Sequence, residues 1–73
     1  ALKSAVVDGA GIAANIAVAG ILTTDALVSV VNLEGTSSED LTSEASITSD
    51  GNIQCSTTDT TGKKLQVMWQ QVA

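Results

Sequence analysis

Seventy-three residues make one domain, and with Cys55 as the single cysteine and no histidine, neither an intrachain disulfide nor an ordinary zinc site is available to staple it. Three Lys against eight acidic residues give a net charge of −5, which argues against nucleic acid as a partner, because phosphate binding needs a basic stripe. No apolar run approaches the ~20 residues of a membrane-spanning helix, and residues 12–22, short, Ala-rich and without a preceding basic region, do not read as a secretion signal.

A domain of this size buries only about 60% of the surface its unfolded chain exposes. The apolar 44% is almost entirely aliphatic, with Trp69 as the single aromatic residue. Association, with further copies or with a larger surface, is therefore the expected source of additional buried area.

Seventeen Ser and Thr, six Gly and no Pro favour strands and turns over helices. Lys3 to Val7 reads as a first short strand, ended by Asp8-Gly9-Ala10-Gly11, and residues 1–12 are a candidate extended N-terminal arm. Ala13 to Ala19 has the Ala content of a helix, but Ile16 and Val18 alternate with Ala17 and Ala19 and Gly20 closes the run, so a strand is expected.

Ala26 to Leu33 carries the strongest strand pattern. Regular alternation sends Val28 and Val30 to one side and Leu27, Val31 and Leu33 to the other, with only Ser29 and Asn32 polar. A strand apolar on both faces is either central in a sandwich or turned toward a partner. Leu2, Val6 and Val7 of the arm, with Leu27, Val28, Val30, Val31 and Leu33, are accordingly the interface candidates. Residues 34–40 follow as a polar loop containing Gly35, Ser37 and Ser38.

The C-terminal half reads as strands near 42–48, 52–58 and 63–72. Residues facing each other in an antiparallel pair share a side, so Ile47 should oppose Ile53 and Ala45 should oppose Cys55. A two-residue Asp50-Gly51 loop would break that match; a three-residue Ser49-Asp50-Gly51 loop keeps it, with Gly51 in the left-handed region. The same logic applied to Thr60-Thr61-Gly62 brings Cys55 to Val67 and Ile53 to Trp69. Leu65, Val67 and Trp69 then point inward, while Lys64, Gln66, Met68 and Gln70 point out. The expected fold is an all-β protein, a small antiparallel β-sandwich or open barrel of about six strands ending in a three-stranded meander, in a single domain over residues 1–73 with Ile47, Ile53, Cys55, Leu65, Val67 and Trp69 in its core.

The reactive side chains do not assemble into a recognisable chemistry. Cys55 has no histidine to activate it and sits on an apolar strand face, as a small buried hydrophobe would. Glu34, Glu39, Asp40 and Glu44 lack the ligand spacing of a calcium loop. Asp8 and Asp25 flank turns, where carboxylates bond the following backbone N–H groups. Asp8-Gly-Ala-Gly11 matches no phosphate-binding motif. No catalytic residue, metal ligand or cofactor is expected.

Several stretches together, Gly20-Ile21, Asp25-Ala-Leu-Val-Ser-Val-Val31, Asp40-Leu-Thr-Ser-Glu-Ala-Ser-Ile-Thr-Ser-Asp-Gly51 and Thr58-Asp-Thr-Thr-Gly-Lys-Lys-Leu-Gln-Val-Met-Trp69, resemble the small virion structural proteins of tailed bacteriophages, including cyanophages. The resemblance covers roughly residues 18–70 and rests on strand and turn residues. It implies a non-enzymatic capsid decoration, or cement, protein on the virion surface, assembled in the host cytoplasm. Its implied partners are the major capsid protein and further copies of itself, as a homotrimer at local three-fold junctions. The alternative is a tail, fibre or head-fibre module binding host-surface carbohydrate, for which exposed aromatic side chains are the usual platform. A self-assembling subunit of a cellular surface layer would require export, for which the sequence shows no signal.

Gly51 and Gly62 should both have positive φ. Replacing either with Val is expected to destabilise the fold by about 1–3 kcal/mol, read as a lower denaturant midpoint in equilibrium unfolding; unchanged midpoints for both variants would mean the loops are elsewhere.

Overall fold

The computed structural model describes residues 1–34 and 39–72. The described residues form seven strands: β1 (Leu2–Asp8), β2 (Ile16–Ala17), β3 (Ala26–Asn32), β4 (Glu39–Asp40), β5 (Ala45–Ser49), β6 (Asn52–Cys55) and β7 (Lys64–Gln70). They make two antiparallel sheets, β1-β7-β3-β4 and β2-β6-β5, so the protein is an all-β sandwich. Ile16, Val18, Ile21, Leu41, Ile53 and Cys55 bury their side chains against Val30, Leu65, Val67 and Trp69.

The β5–β6 hairpin follows from alternation. Ala45 opposes Cys55 and Ile47 opposes Ile53. The extra residue that keeps these pairs on one face is Thr48, passed over as a bulge, with Ser49 opposite Asn52 and Asp50-Gly51 left at the tip. The loop is thus one residue shorter than expected, and the bulge supplies the same parity. Gly51 has φ of 82° and Gly62 of 77°, the left-handed geometry the turns demand.

The third strand of the expected meander lies elsewhere. β7 does not pair with β6; it crosses to the other sheet and runs between β1 and β3. Cys55 and Val67, and Ile53 and Trp69, therefore belong to opposite layers of one core instead of neighbouring strands. The crossing is fixed by Thr60, which is completely buried. Its backbone N–H donates to the Ala10 carbonyl at 2.9 Å and its Oγ1 donates to the same carbonyl at 3.0 Å. Oγ1 also accepts the Ala10 N–H at 3.0 Å. A Cβ on Gly9 would lie 2.2 Å from the Thr60 carbonyl oxygen, so only glycine lets the two backbones meet.

Three further elements differ from the sequence reading. Within residues 1–12, the candidate extended arm, Leu2–Asp8 is laddered onto β7 along its whole length. The 13–19 strand shrinks to Ile16–Ala17, since Ala13 takes φ of 54°, yet Ile16 and Val18 are buried and Ala17 and Ala19 exposed, as the alternation requires. In β3, Leu27 pairs with Trp69 and Ser29 with Met68, leaving Val28 as a bulge. Val28 is consequently exposed while Val30 is buried, and the expected equivalence of the two is lost. Of the 34–40 loop, Glu39 and Asp40 form β4, and Gly35, Ser37 and Ser38 lie outside the described residues.

Gly9→Ala is expected to destabilise the protein by about 1–3 kcal/mol, as overpacking does, whereas Gly11→Ala, with open space around its Cβ position, should be far milder. Equal unfolding midpoints for the two variants would show that Thr60 does not hold the crossing.

Candidate functional site

The four-stranded sheet has one face on the core and one face open. Cross-strand pairing lines up Val6, Gln66, Val31 and Asp40 in one row of the open face, and Ser4, Met68 and Ser29 in the next. Leu2 and Val6 are 57% and 58% exposed, and the Val28 bulge adds a side chain 46% exposed on the same sheet. Leu33, just past β3, is exposed too.

The interface candidates thus divide. Leu2, Val6, Val28 and Leu33 are exposed and Val31 is half-buried in the Val6 row. Val7 and Leu27 pack against the core and Val30 is completely buried, so these serve the fold. The core candidates Ile53, Cys55, Leu65, Val67 and Trp69 are buried, and Ile47 packs partly buried against them.

The acidic side chains organise loops. The Glu44 carboxylate accepts the hydroxyl protons of Thr57 (2.9 Å) and Thr58 (3.0 Å) and their backbone N–H groups (3.3 and 2.9 Å), tying β5 to the start of the crossing. Desolvation pushes the Glu44 pKa up, but these hydrogen bonds outweigh it and hold it below the ordinary value. Asp40 accepts the Thr42 hydroxyl and N–H, which lowers its pKa. Thr42 Oγ1 in turn accepts the Val30 N–H at 3.1 Å beside the β3 bulge. Asp59, bonded by Thr61, is lowered likewise.

The turn carboxylates do less local capping than their positions suggest. Buried Asp25 accepts the preceding Leu22 N–H at 3.0 Å and reaches the distant Val72 N–H, while Asp8 pairs with Lys64 across the β1–β7 ladder. Among the described residues no three Asp, Glu or Cys side chains converge as a metal site.

Cys55 is 1% exposed, and burial, helped by the negative charges of Glu44 and Glu39, raises its thiol pKa, the opposite of what a nucleophile requires. A cavity of about 310 Å³ is lined by Lys3, Ala19, Gly20, Trp69 and Gln71. Its polar lining is one ammonium and one side-chain amide, beside the Trp69 indole. Trp69 is 4% exposed, a core side chain whose buried Nε1 has no hydrogen-bond partner among the described residues. Sequence alternation placed Gln66, Met68 and Gln70 of β7 on the outer side, but it grouped Val31 with Leu27, which the Val28 bulge separates onto opposite faces, and neither that bulge nor the Thr60 contact has a local signal.

No protein-family model matches the chain, and no match is found among curated proteins or solved structures.

A carboxylate whose pKa is lower folded than unfolded contributes stability that is complete above the unfolded value of about 4 and is lost as pH falls through the folded value. The thermal midpoint should therefore hold steady near neutral pH and fall in acid, as Asp40, Glu44 and Asp59 protonate. Glu44→Gln should show a shallower acid decline than the wild type, measured by circular dichroism melts across pH; an identical decline would remove the charged Glu44 clasp from the account.

Proposed function

We propose that this chain is a non-enzymatic structural module, a capsid decoration protein that lays the open face of its four-stranded sheet across neighbouring major capsid subunits of a tailed phage. The observation that carries the reading is the set of aliphatic side chains, Leu2, Val6 and Val28, held out to solvent on that one sheet. Shape and charge are consistent with it. Leu2, Val6 and Val28 lie on β1 and β3; Asp8 of β1 is paired with Lys64, Glu39 and Asp40 mark the β4 border of the open face, and the other acids lie in loops. A small domain with neither disulfide nor metal gains stability from a surface that binds only its folded form.

The carbohydrate-binding alternative is less well supported, because sugar sites use exposed aromatic faces and Trp69 is buried. The open sheet face and the buried thiol both favour docking over chemistry.

Quantitative mass spectrometry of purified virions should find the protein in numbers comparable to the major capsid protein. Val28→Asp, at an exposed bulge, should fold but rebind stripped heads poorly; Val30→Asp should fail to fold; Glu39→Ala should do neither. Heads lacking the protein should lose DNA at lower temperature or under milder osmotic shock. Heads that keep their DNA as well as the wild type under each stress would overturn the proposal.

A further inference from the structure

An open sheet edge is a template for another strand, and proteins that must stay monomeric blunt their edges with short strands, bulges, charge or proline. Among the described residues four strands form sheet edges: β1, β4, β2 and β5. β4 and β2 are two residues each, and β5 is interrupted by the Thr48 bulge. β1 is neither short nor bulged and holds no proline; its charges are Lys3 and Asp8, the latter paired with Lys64. It runs seven residues without a bulge, in unbroken register from Leu2 opposite Gln70 to Asp8 opposite Lys64.

The direction of its backbone groups follows from alternation. Ala1 and Gln71 bond each other in both directions, and the Gly9 N–H donates to the Lys63 carbonyl, so the odd-numbered residues face β7. In an antiparallel ladder the intervening residues turn their groups the other way. Leu2, Ser4, Val6 and Asp8 therefore direct N–H and C=O out of the sheet edge, and their side chains are all exposed on the open face.

We infer that β1 is a self-docking edge, at which two copies pair antiparallel about a two-fold axis through Ser4 and join their four-stranded sheets into one. Outward-facing residues must meet outward-facing residues, which leaves few registers. An axis through Lys3 sets Lys3 against Lys3 of the partner subunit, a like-charge pair. An axis through Ala5 sets Leu2 against the carboxylate of Asp8 of the partner subunit. The axis through Ser4 sets Leu2 against Val6 of the partner subunit, twice by symmetry, and Lys3 against Ala5 of the partner subunit. An axis through Val6 also matches apolar to apolar, but it pairs only residues 4–8 of the strand, leaves Leu2 beyond the overlap and sets Ser4 against Asp8 of the partner subunit; the Ser4 axis alone uses both Leu2 and Val6 and separates the lysines. Edge pairing needs nothing but a second copy, so it stands independently of the capsid reading. It closes at two copies, in place of the trimer that three-fold capsid junctions suggest.

Light scattering coupled to gel filtration, from micromolar to millimolar protein, should show the wild type moving from monomer to dimer mass. Ser4→Pro removes the N–H at the axis and leaves the β7 ladder intact; Val6→Lys sets an ammonium against Leu2 of the partner subunit. Both should stay monomeric while unfolding cooperatively, and if Ser4→Pro does not fold, Val6→Lys at its exposed position decides. Hydrogen-bonded partners lie about 5.5 Å apart at Cα, within disulfide reach. Ser4→Cys in a Cys55→Ser background should therefore oxidise to a covalent dimer. A wild type that is monomeric throughout or trimeric, a dimer that survives Val6→Lys, or a dimer that Ser4→Cys does not cross-link would each overturn the inference.

Discussion

The fold depends on one buried hydroxyl. Thr60 sits where the chain leaves the three-stranded sheet, and its side chain both donates to and accepts from the backbone of Ala10. A buried hydroxyl without such partners would cost more than it contributes, so the contact holds only if the end of β1 lies against the 59–62 turn. Once it does, β7 starts beside β1 and is carried into the far sheet, where it is paired with β1 on one side and β3 on the other. Leu65, Val67 and Trp69 then form the central column of that layer, and β3 is ordered against them.

That contact also marks the limit of what the sequence discloses. Alternation told which side chains share a side, and the β5–β6 register followed from Ile47, Ile53, Ala45 and Cys55 because a tight turn joins the two strands. Parity does not tell which strand is the neighbour. Val67 and Trp69 reach the same core whether β7 pairs with β6 or crosses over, so the two arrangements leave the same pattern of apolar residues. The deciding partner, Gly9, is far from Thr60 in sequence, and its need for glycine comes from a backbone it meets only in the folded state.

The open face was partly legible for the same reason. Leu2 and Val6 are exposed as the sequence reading expected of interface residues, but Val7, grouped with them, alternates with Val6 on a regular strand and packs against the core. Val28 and Val30 could not be separated, since Leu-Val-Ser-Val-Val carries no residue that signals a bulge. The Val28 bulge spares Val30 for the core and sends Val28 outward, while Thr42 bonds the Val30 N–H beside it. The irregularity therefore adds to the apolar surface that an unbroken strand would have kept partly inside.

Charge decides how such a surface can be used. A net charge of −5 on a small domain opposes any close approach between copies. The repulsion depends on where the acids lie. Asp8, the acid of β1, is compensated by Lys64, whereas Glu39 and Asp40 occupy the opposite edge of the sheet. Joining two sheets through β1 gives the strand order β4-β3-β7-β1 followed by its mirror sequence, which sends the two β4 edges to the far ends. At about 4.8 Å per strand spacing they are then ~34 Å apart, several times the ~8 Å Debye length at physiological salt. Pairing through β4 would place the same carboxylates side by side. The distribution of charge thus opposes association at one edge and leaves it nearly unopposed at the other, where the backbone of β1 is exposed.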